Sequence, residues 1–176
     1  MRQRSLLLLL ALGVLAFVMQ AAWAQDAHGN HDAYMFLVGV PPVEGPDAAT
    51  APNGSTVSLS GAGSFTAGPD KTASGGGSYT ITDSAGNMVA AGSWTAIAVL
   101  GFVDYGDGTP QGAPATFHGG EAHLRVSLSG IGEGVLTIEC LFGSPPAGKA
   151  EGSRLVLGQG LNFNKSTSGQ TLFIKP

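Results

Sequence analysis

The sequence predicts an all-β domain, an antiparallel β-barrel of about eight strands, with a β-sandwich as the alternative. Two observations support this class. Several short segments alternate apolar and polar residues with a period of two, and turn-forming residues are abundant, including 28 glycines in 176 residues. Charged residues make up only 11% of the chain, and helix-forming residues are sparse after residue 24. Short strands joined by tight turns account for this composition.

The clearest element is a β-hairpin over residues 75–103, with its turn at Asp83–Asn87. On its first strand Tyr79 and Ile81 alternate with polar residues, as expected for a sheet with one buried face. The second strand has apolar residues on both faces: Trp94, Ala96, Ala98, Leu100 and Phe102 on one, and Ile97, Val99 and Val103 on the other. We therefore expect this second strand to be central and covered on both sides.

A second hairpin follows at residues 121–142, where apolar and polar residues again alternate. With Gly130–Gly134 as the loop, apolar residues face one another across the two strands. The predicted pairs are Leu128 with Leu136, Val126 with Ile138, Leu124 with Cys140, and Ala122 with Phe142, and the other face sets Arg125 opposite Glu139. One face is thus apolar and the other is charge-complementary.

Cys140 is the only cysteine, which rules out a disulfide within a monomer. It could be a nucleophile with His118 or His123 as the base, because an imidazole activates a neighbouring thiol. Its place on the apolar face beside Ile138 and Phe142 favours the other interpretation, a buried and inert thiol. We predict the second.

The first 24 residues have the three parts of a secretory signal peptide: Arg2 and Arg4, an apolar run over Leu6–Met19, and Ala22–Ala24 as the cleavage site. Cleavage after Ala24 predicts a secreted or periplasmic protein. The apolar run is shorter than the roughly 20 residues of a membrane span, so no span is expected in the mature chain. Residues 25–54 are predicted to be an N-terminal arm with a possible first strand and a loop, and residues 55–176 the β-barrel domain.

The charge pattern argues against nucleic acid as a partner. The formal net charge is −4, and removal of Arg2 and Arg4 makes the chain more acidic. The remaining basic residues are scattered along the chain and form no stripe, whereas nucleic-acid binding relies on clustered Lys and Arg.

Two segments are candidate metal sites. Asp104 and Asp107 alternate with glycines, as in a Ca²⁺ loop, although a plain turn explains the same residues and no closing acid follows at the required distance. His28 and His31 lie near two aspartates and could ligate a transition metal, or they could belong to a solvated polar tail. Apart from weak Ca²⁺ binding, we expect no cofactor.

Three glycine-containing motifs carry a family resemblance. Residues 76–86, 92–96 and 134–140 resemble segments of uncharacterised secreted bacterial all-β proteins, and the first also looks like the hairpins of small barrels of the allene oxide cyclase and dirigent type. Separately, Asp104–Thr109 resembles a turn of polycystic-kidney-disease-type (PKD) domains, which are extracellular β-sandwich modules. The first resemblance implies a barrel, the second implies a sandwich, and neither transfers a catalytic residue.

For function, the sequence predicts a non-catalytic binding module whose barrel interior, lined by Tyr79, Trp94 and Phe102, takes a small apolar ligand. The alternative is a structural or adhesive extracellular module whose interior is filled by its own side chains. A barrel cyclase or isomerase is the third class, and it would need a polar constellation inside the barrel. The chain contains no Gly-x-Ser-x-Gly, His-Glu-x-x-His or phosphate-loop motif. The sequence does not indicate the oligomeric state.

Overall fold

The structure is a computed structural model that describes residues 32–176, which form one compact unit. These residues contain eleven β-strands, one 3-10 helix at Thr109–Gln111 and no α-helix. The strands are β1 (Asp32–Val38), β2 (Asp47–Thr50), β3 (Thr56–Ala67), β4 (Ala73–Thr82), β5 (Met88–Asp107), β6 (Phe117–Leu128), β7 (Gly132–Cys140), β8 (Gly152–Leu157), β9 (Asn162–Phe163), β10 (Lys165–Ser168) and β11 (Thr171–Ile174). The all-β class is confirmed, with more strands than the eight expected. The predicted signal peptide lies outside the described residues.

Six strands form a closed antiparallel ring, in which β1, β3, β4, β5, β6 and β11 each pair with two neighbours. The sheet continues from β6 through β7 and β8 to β9, and from β3 through β2 to β10. Only Asn164 separates β9 from β10, so the two ends of this path are adjacent in the chain. A six-stranded ring from which the same sheet continues at β3 and at β6 is compatible with both barrel and sandwich descriptions.

Residues 32–54 contribute to the sheet, although the sequence prediction placed them before the barrel domain. The β1 strand pairs with β3 along its full length and with β11 on its other edge. The β2 strand pairs with β3 and β10. The compact unit therefore begins at Asp32, because Tyr34, Phe36 and Val38 on β1 supply buried side chains to the core.

The prediction that the β5 strand is covered on both faces is wrong. Its pairing with β6 is interrupted by three bulges, between residues 96 and 98, 99 and 101, and 104 and 106. Each bulge adds one residue to β5, so the inward positions no longer follow a period of two. Leu100 is consequently turned outward and is 43% exposed, whereas Val99 is turned inward and buried. Ile97 and Val103 lie on the outer face by simple alternation and are 46% and 57% exposed, so this face is not covered.

The second hairpin has a different register from the predicted one. Leu128 pairs with Gly132 and Leu124 with Leu136, which is a shift of four residues along β7. The predicted five-residue loop is in fact three residues long, because Gly132 has a φ of 115° and already belongs to the strand. An even shift keeps each side chain on its predicted face. It separates Arg125 from Glu139, and Arg125 instead lies opposite Val135.

Aromatic side chains from β1, β3, β5 and β11 occupy the ring interior. The members of this aromatic cluster are Tyr34, Phe36, Phe65, Trp94, Phe102 and Phe173. The ring of Phe102 lies 4.6 Å from that of Tyr34, 4.9 Å from Phe65 and 5.2 Å from Phe173, centre to centre. These distances are typical of packed aromatic pairs, so the ring's own side chains fill this part of the interior.

Candidate functional site

The strand β6 changes partner along one edge, and this change creates a fork in the sheet. Phe117 and His118 pair with β11, whereas residues 120–128 pair with β7. The β5 strand pairs with the opposite edge of β6, so β11 and β7 pair one after the other with the same edge. Beyond β6 the two strands separate, because β11 continues to β1 and β7 continues to β8. Gly119 lies at the branch point, where a Cβ atom would be 1.9 Å from the carbonyl oxygen of Phe142. Only glycine fits this close approach of two backbones.

The side chain of Glu151 bridges the fork. Its Oε2 accepts a hydrogen bond of 2.8 Å from the Leu141 N–H after β7, and its Oε1 accepts one of 2.9 Å from the Thr171 N–H of β11. Thr171 Oγ1 lies 2.9 Å from Glu151 Oε1 and 2.6 Å from the Glu139 carbonyl oxygen. Burial raises the pKa of Glu151 against the opposing effect of these hydrogen bonds. The carboxylate thus satisfies backbone donors that the diverging strands leave unpaired.

A pocket of about 420 Å³ lies over this fork, and we call it the fork pocket. Its lining is mainly apolar, from Pro42, Val43, Phe117, Cys140, Leu141, Phe142 and Leu172, with Gln111, Glu151, Gln170 and Thr171 as the polar members. The polar members bond within the protein. Gln111 exchanges two hydrogen bonds with the backbone of Gly143, and Gln170 Oε1 accepts one from the Glu44 N–H.

A network of charged side chains on the outer face of β6, β7 and β8 is the second candidate. Glu139, whose side chain is fully buried, accepts hydrogen bonds from Tyr105 Oη at 3.1 Å and Arg154 Nη2 at 2.6 Å. Glu121 bonds to Lys149 and lies 2.7 Å from His123 Nε2. Burial and the Glu139 carboxylate raise the pKa of Tyr105. Each acid is paired with a base, so the network supports the sheet and leaves no unpaired catalytic group among the residues named.

The three residues predicted to bind a ligand all lie in the ring interior. Tyr79 and Trp94 are 3% and 2% exposed, and Phe102 is partly buried in the aromatic cluster. The Tyr79 hydroxyl donates to the Ser129 carbonyl and Trp94 Nε1 donates to the Ser60 carbonyl. Their polar atoms therefore already have partners within the protein. Their role in ligand binding stays a prediction.

Asp104 and Asp107 use their carboxylates within the protein. Asp104 Oδ2 accepts from the Tyr34 hydroxyl, and its Oδ1 accepts from the Gly106 N–H. Asp107 Oδ1 accepts from the Thr109 N–H at 2.9 Å, and the hydrogen bonds from Thr109 lower the pKa of Asp107. Within residues 32–176 no three His, Cys, Asp or Glu side chains are grouped as a metal site would require. Ca²⁺ binding stays a prediction, and the candidate ligands His28 and His31 lie outside the described residues.

The prediction that Cys140 is buried is confirmed, since its side chain is 2% exposed. It pairs with Gly120, not with Leu124 as predicted, because of the register shift in the second hairpin. Burial, reinforced by the nearby Glu151 carboxylate, raises the pKa of the Cys140 thiol to about 12.

The folded protein should therefore react with a thiol reagent at least about a hundredfold more slowly at pH 8 than the urea-unfolded chain, because an unperturbed thiol has a pKa of about 8.5 and the thiolate is the reactive form. Absorbance during reaction with a disulfide reagent measures both rates. Equal rates for the two states would contradict the buried position.

Comparison with family models, curated proteins and solved structures gave no match to this chain. The resemblances to the secreted bacterial proteins, the small closed barrels and the PKD-type domains therefore stay predictions. Within residues 32–176 there is no helix with the length and apolar character needed to cross a membrane. The fork pocket and the charged network are thus interpreted from their own geometry.

Proposed function

We propose that this chain is a non-catalytic binding module that takes a small, predominantly apolar ligand in the fork pocket. The observation that carries the proposal is the pocket itself, whose volume of about 420 Å³ falls within the range of small-molecule sites. Its walls combine two aromatic rings, Phe117 and Phe142, with aliphatic side chains. Such walls bind by removing apolar surface from water.

The polar residues that line the pocket favour an apolar ligand, because their side chains are already hydrogen-bonded within the protein. The side chain of Gln111 and the carboxylate of Glu151 already bond to backbone groups of the protein. A polar ligand would lose its hydration without gaining free partners from these groups, which is unfavourable. An apolar ligand that buries about 200 Å² in the pocket would gain roughly 5 kcal/mol before the entropic cost of association is subtracted.

A neutral apolar fluorophore, N-phenyl-1-naphthylamine, tests this proposal. We expect saturable, 1:1 binding to the wild-type protein, with blue-shifted emission. Val43→Trp should weaken binding at least tenfold, because the indole would occupy the pocket that Val43 lines. Val89→Trp is the matched control, since Val89 lies on β5 and is 60% exposed. Its affinity should stay within twofold of the wild type.

Two results would overturn the proposal: no saturable binding to the wild type, or equal affinities for Val43→Trp and the wild type. Thermal unfolding of both tryptophan variants checks that they are folded. Binding that is retained in Val43→Trp but lost in Leu100→Lys would locate the probe on the exposed residues of β5 instead.

A structural or adhesive module is the second candidate, and the packing of the aromatic cluster in the ring interior supports it. The fluorophore titration distinguishes the two candidates, because a purely structural module has no saturable site. A cyclase or isomerase would need polar groups inside the ring. The charged network that includes Glu139 and Arg154 lies on the outer face, which gives no support to that third class.

A further inference from the structure

Asp47 on β2 is a buried carboxyl group that makes no close hydrogen bond. Its side chain is fully inaccessible, and neither Oδ1 nor Oδ2 has a hydrogen bond within 3.5 Å. The hydroxyl of Ser153 on β8 is also fully buried and unpaired. An unpaired carboxylate is strongly disfavoured in such surroundings, whereas the neutral acid is tolerated far better.

The backbone of the β10–β11 turn and of the first residue of β8 packs against this carboxyl group. A Cβ atom at Gly169 would lie 2.1 Å from Asp47 Oδ1, and one at Gly152 would lie 3.7 Å from Oδ2. The charged group that faces Asp47 is the Glu151 carboxylate, from the β7–β8 connection. The polar neighbours are the Ser153 hydroxyl on β8 and the backbone of Gln170 in the β10–β11 turn. No cation balances a negative charge on Asp47 among these neighbours.

Asp47 lies where β2 and β10 pack against β8 without pairing with it. We call this contact the seam. The β2 strand is paired with β3 and β10, and β8 is paired with β7 and β9. Across the seam, Ser166 Oγ on β10 donates to the Glu151 carbonyl at 2.7 Å. Because no strand ladder crosses here, side-chain packing and isolated hydrogen bonds hold the seam closed.

We propose that Asp47 is a proton-operated lock on the seam: with the carboxyl group protonated the seam is closed, and loss of that proton to solvent loosens β2 and β10 from β8. Burial raises the pKa of Asp47 to about 7, with Glu151 adding to the effect and the Ser153 hydroxyl opposing it. Cys140 also faces Glu151, but its thiol remains neutral because its pKa is raised to about 12. The lock does not require a ligand in the fork pocket, although Glu151 borders both places.

The direction of the pH effect follows from the two ionisation states. An unfolded aspartate ionises near pH 4, whereas Asp47 in the folded protein ionises near pH 7. Between these values the folded state holds one more proton than the unfolded state. The equilibrium constant for opening should therefore rise by up to about tenfold per pH unit from pH 4 to pH 7, and level off above.

Amide hydrogen exchange of the wild type and Asp47→Asn at pH 5 and pH 8, corrected for intrinsic exchange, tests the lock. Protection of wild-type amides in β2 and β10 should fall at least tenfold at pH 8, while amides between β3 and β4 should change much less. Asp47→Asn should lose this pH response, because the amide does not ionise. Glu133→Gln removes a carboxylate from an exposed position on β7 and should behave as the wild type.

Equal wild-type protection of β2 and β10 at the two pH values would overturn the proposal, as would an unchanged pH response in Asp47→Asn. A second measurement does not depend on the variant being folded. Carbon-13 NMR of the wild type should show the Asp47 carboxyl group titrating near pH 7, whereas a midpoint near pH 4 would refute the lock.

Discussion

Replacement of Trp94 by alanine should lower the free energy of unfolding by about 3–5 kcal/mol. The indole is 2% exposed and stacks on Phe36 with ring centres 6.3 Å apart. Its Nε1 donates to the Ser60 carbonyl, which would lose that partner. A Cβ atom at Gly61 would lie 2.5 Å from the indole, so the surrounding backbone is shaped around this side chain. Urea unfolding followed by circular dichroism measures the loss.

Leu100→Ala is the matched control, because Leu100 lies on the same strand with 43% of its side chain exposed. We expect it to change the free energy of unfolding by no more than about 1 kcal/mol. A loss below about 1 kcal/mol for Trp94→Ala would mean that the ring interior is loosely packed around this position. That result would favour the sequence-based prediction of a ligand cavity lined by Tyr79, Trp94 and Phe102.

The central hairpin could be predicted from the sequence because all its determinants are local. Residues 83–87 form the turn, where the Asp83 carboxylate accepts hydrogen bonds from the Ala85 and Asn87 N–H groups. Tyr79 and Ile81 alternate with polar residues and are buried as predicted. Sequence separation along this hairpin is small, so local turn chemistry and period-two patterning determine it.

The predictions for β5 and for the second hairpin were wrong because the apolar–polar alternation alone does not determine these two elements. Bulges in β5 turn Leu100 outward and Val99 inward, and an apolar sequence gives no sign of a bulge. In the second hairpin, glycines at both ends of the loop permit turns of different length. An even shift along β7 retains the same apolar face, so the hydrophobic pattern could not decide between the two registers.

The fork pocket could not be predicted from the sequence, because it depends on contacts between distant segments. Glu151 comes from a Pro/Gly-rich loop, yet it bonds to the backbone after β7 and to β11. Asp47 lies more than 100 residues before Ser153 in the chain, and the fold brings the two side chains together. Glu151 borders both places, so a charge on Asp47 acts directly on the residue that bridges the fork. This arrangement links the proposed lock physically to the proposed binding pocket.

The second large effect should come from the charged network on the outer face. Arg154 Nη2 lies 2.6 Å from Glu139 Oε2, and the Glu139 side chain is fully buried while that of Arg154 is 27% exposed. Arg154→Met should lower the free energy of unfolding by about 3 kcal/mol, because it leaves a buried carboxylate without its principal cation. We place it at the lower end of the range for broken buried pairs since Lys149 Nζ remains 3.4 Å from Glu139 Oε1. Urea unfolding measures the change.

A double variant separates the cost of an unpaired charge from the value of the pair. Glu139→Gln combined with Arg154→Met should recover most of the loss, because neither member then leaves a buried charge uncompensated. Arg125→Met is the control, since Arg125 is exposed on β6 opposite Val135 and should change stability by no more than about 0.5 kcal/mol. If Arg154→Met costs no more than Arg125→Met, the Glu139 carboxylate must be stabilised by Tyr105 and Lys149 alone, and the buried pair contributes nothing measurable to the stability of the sheet.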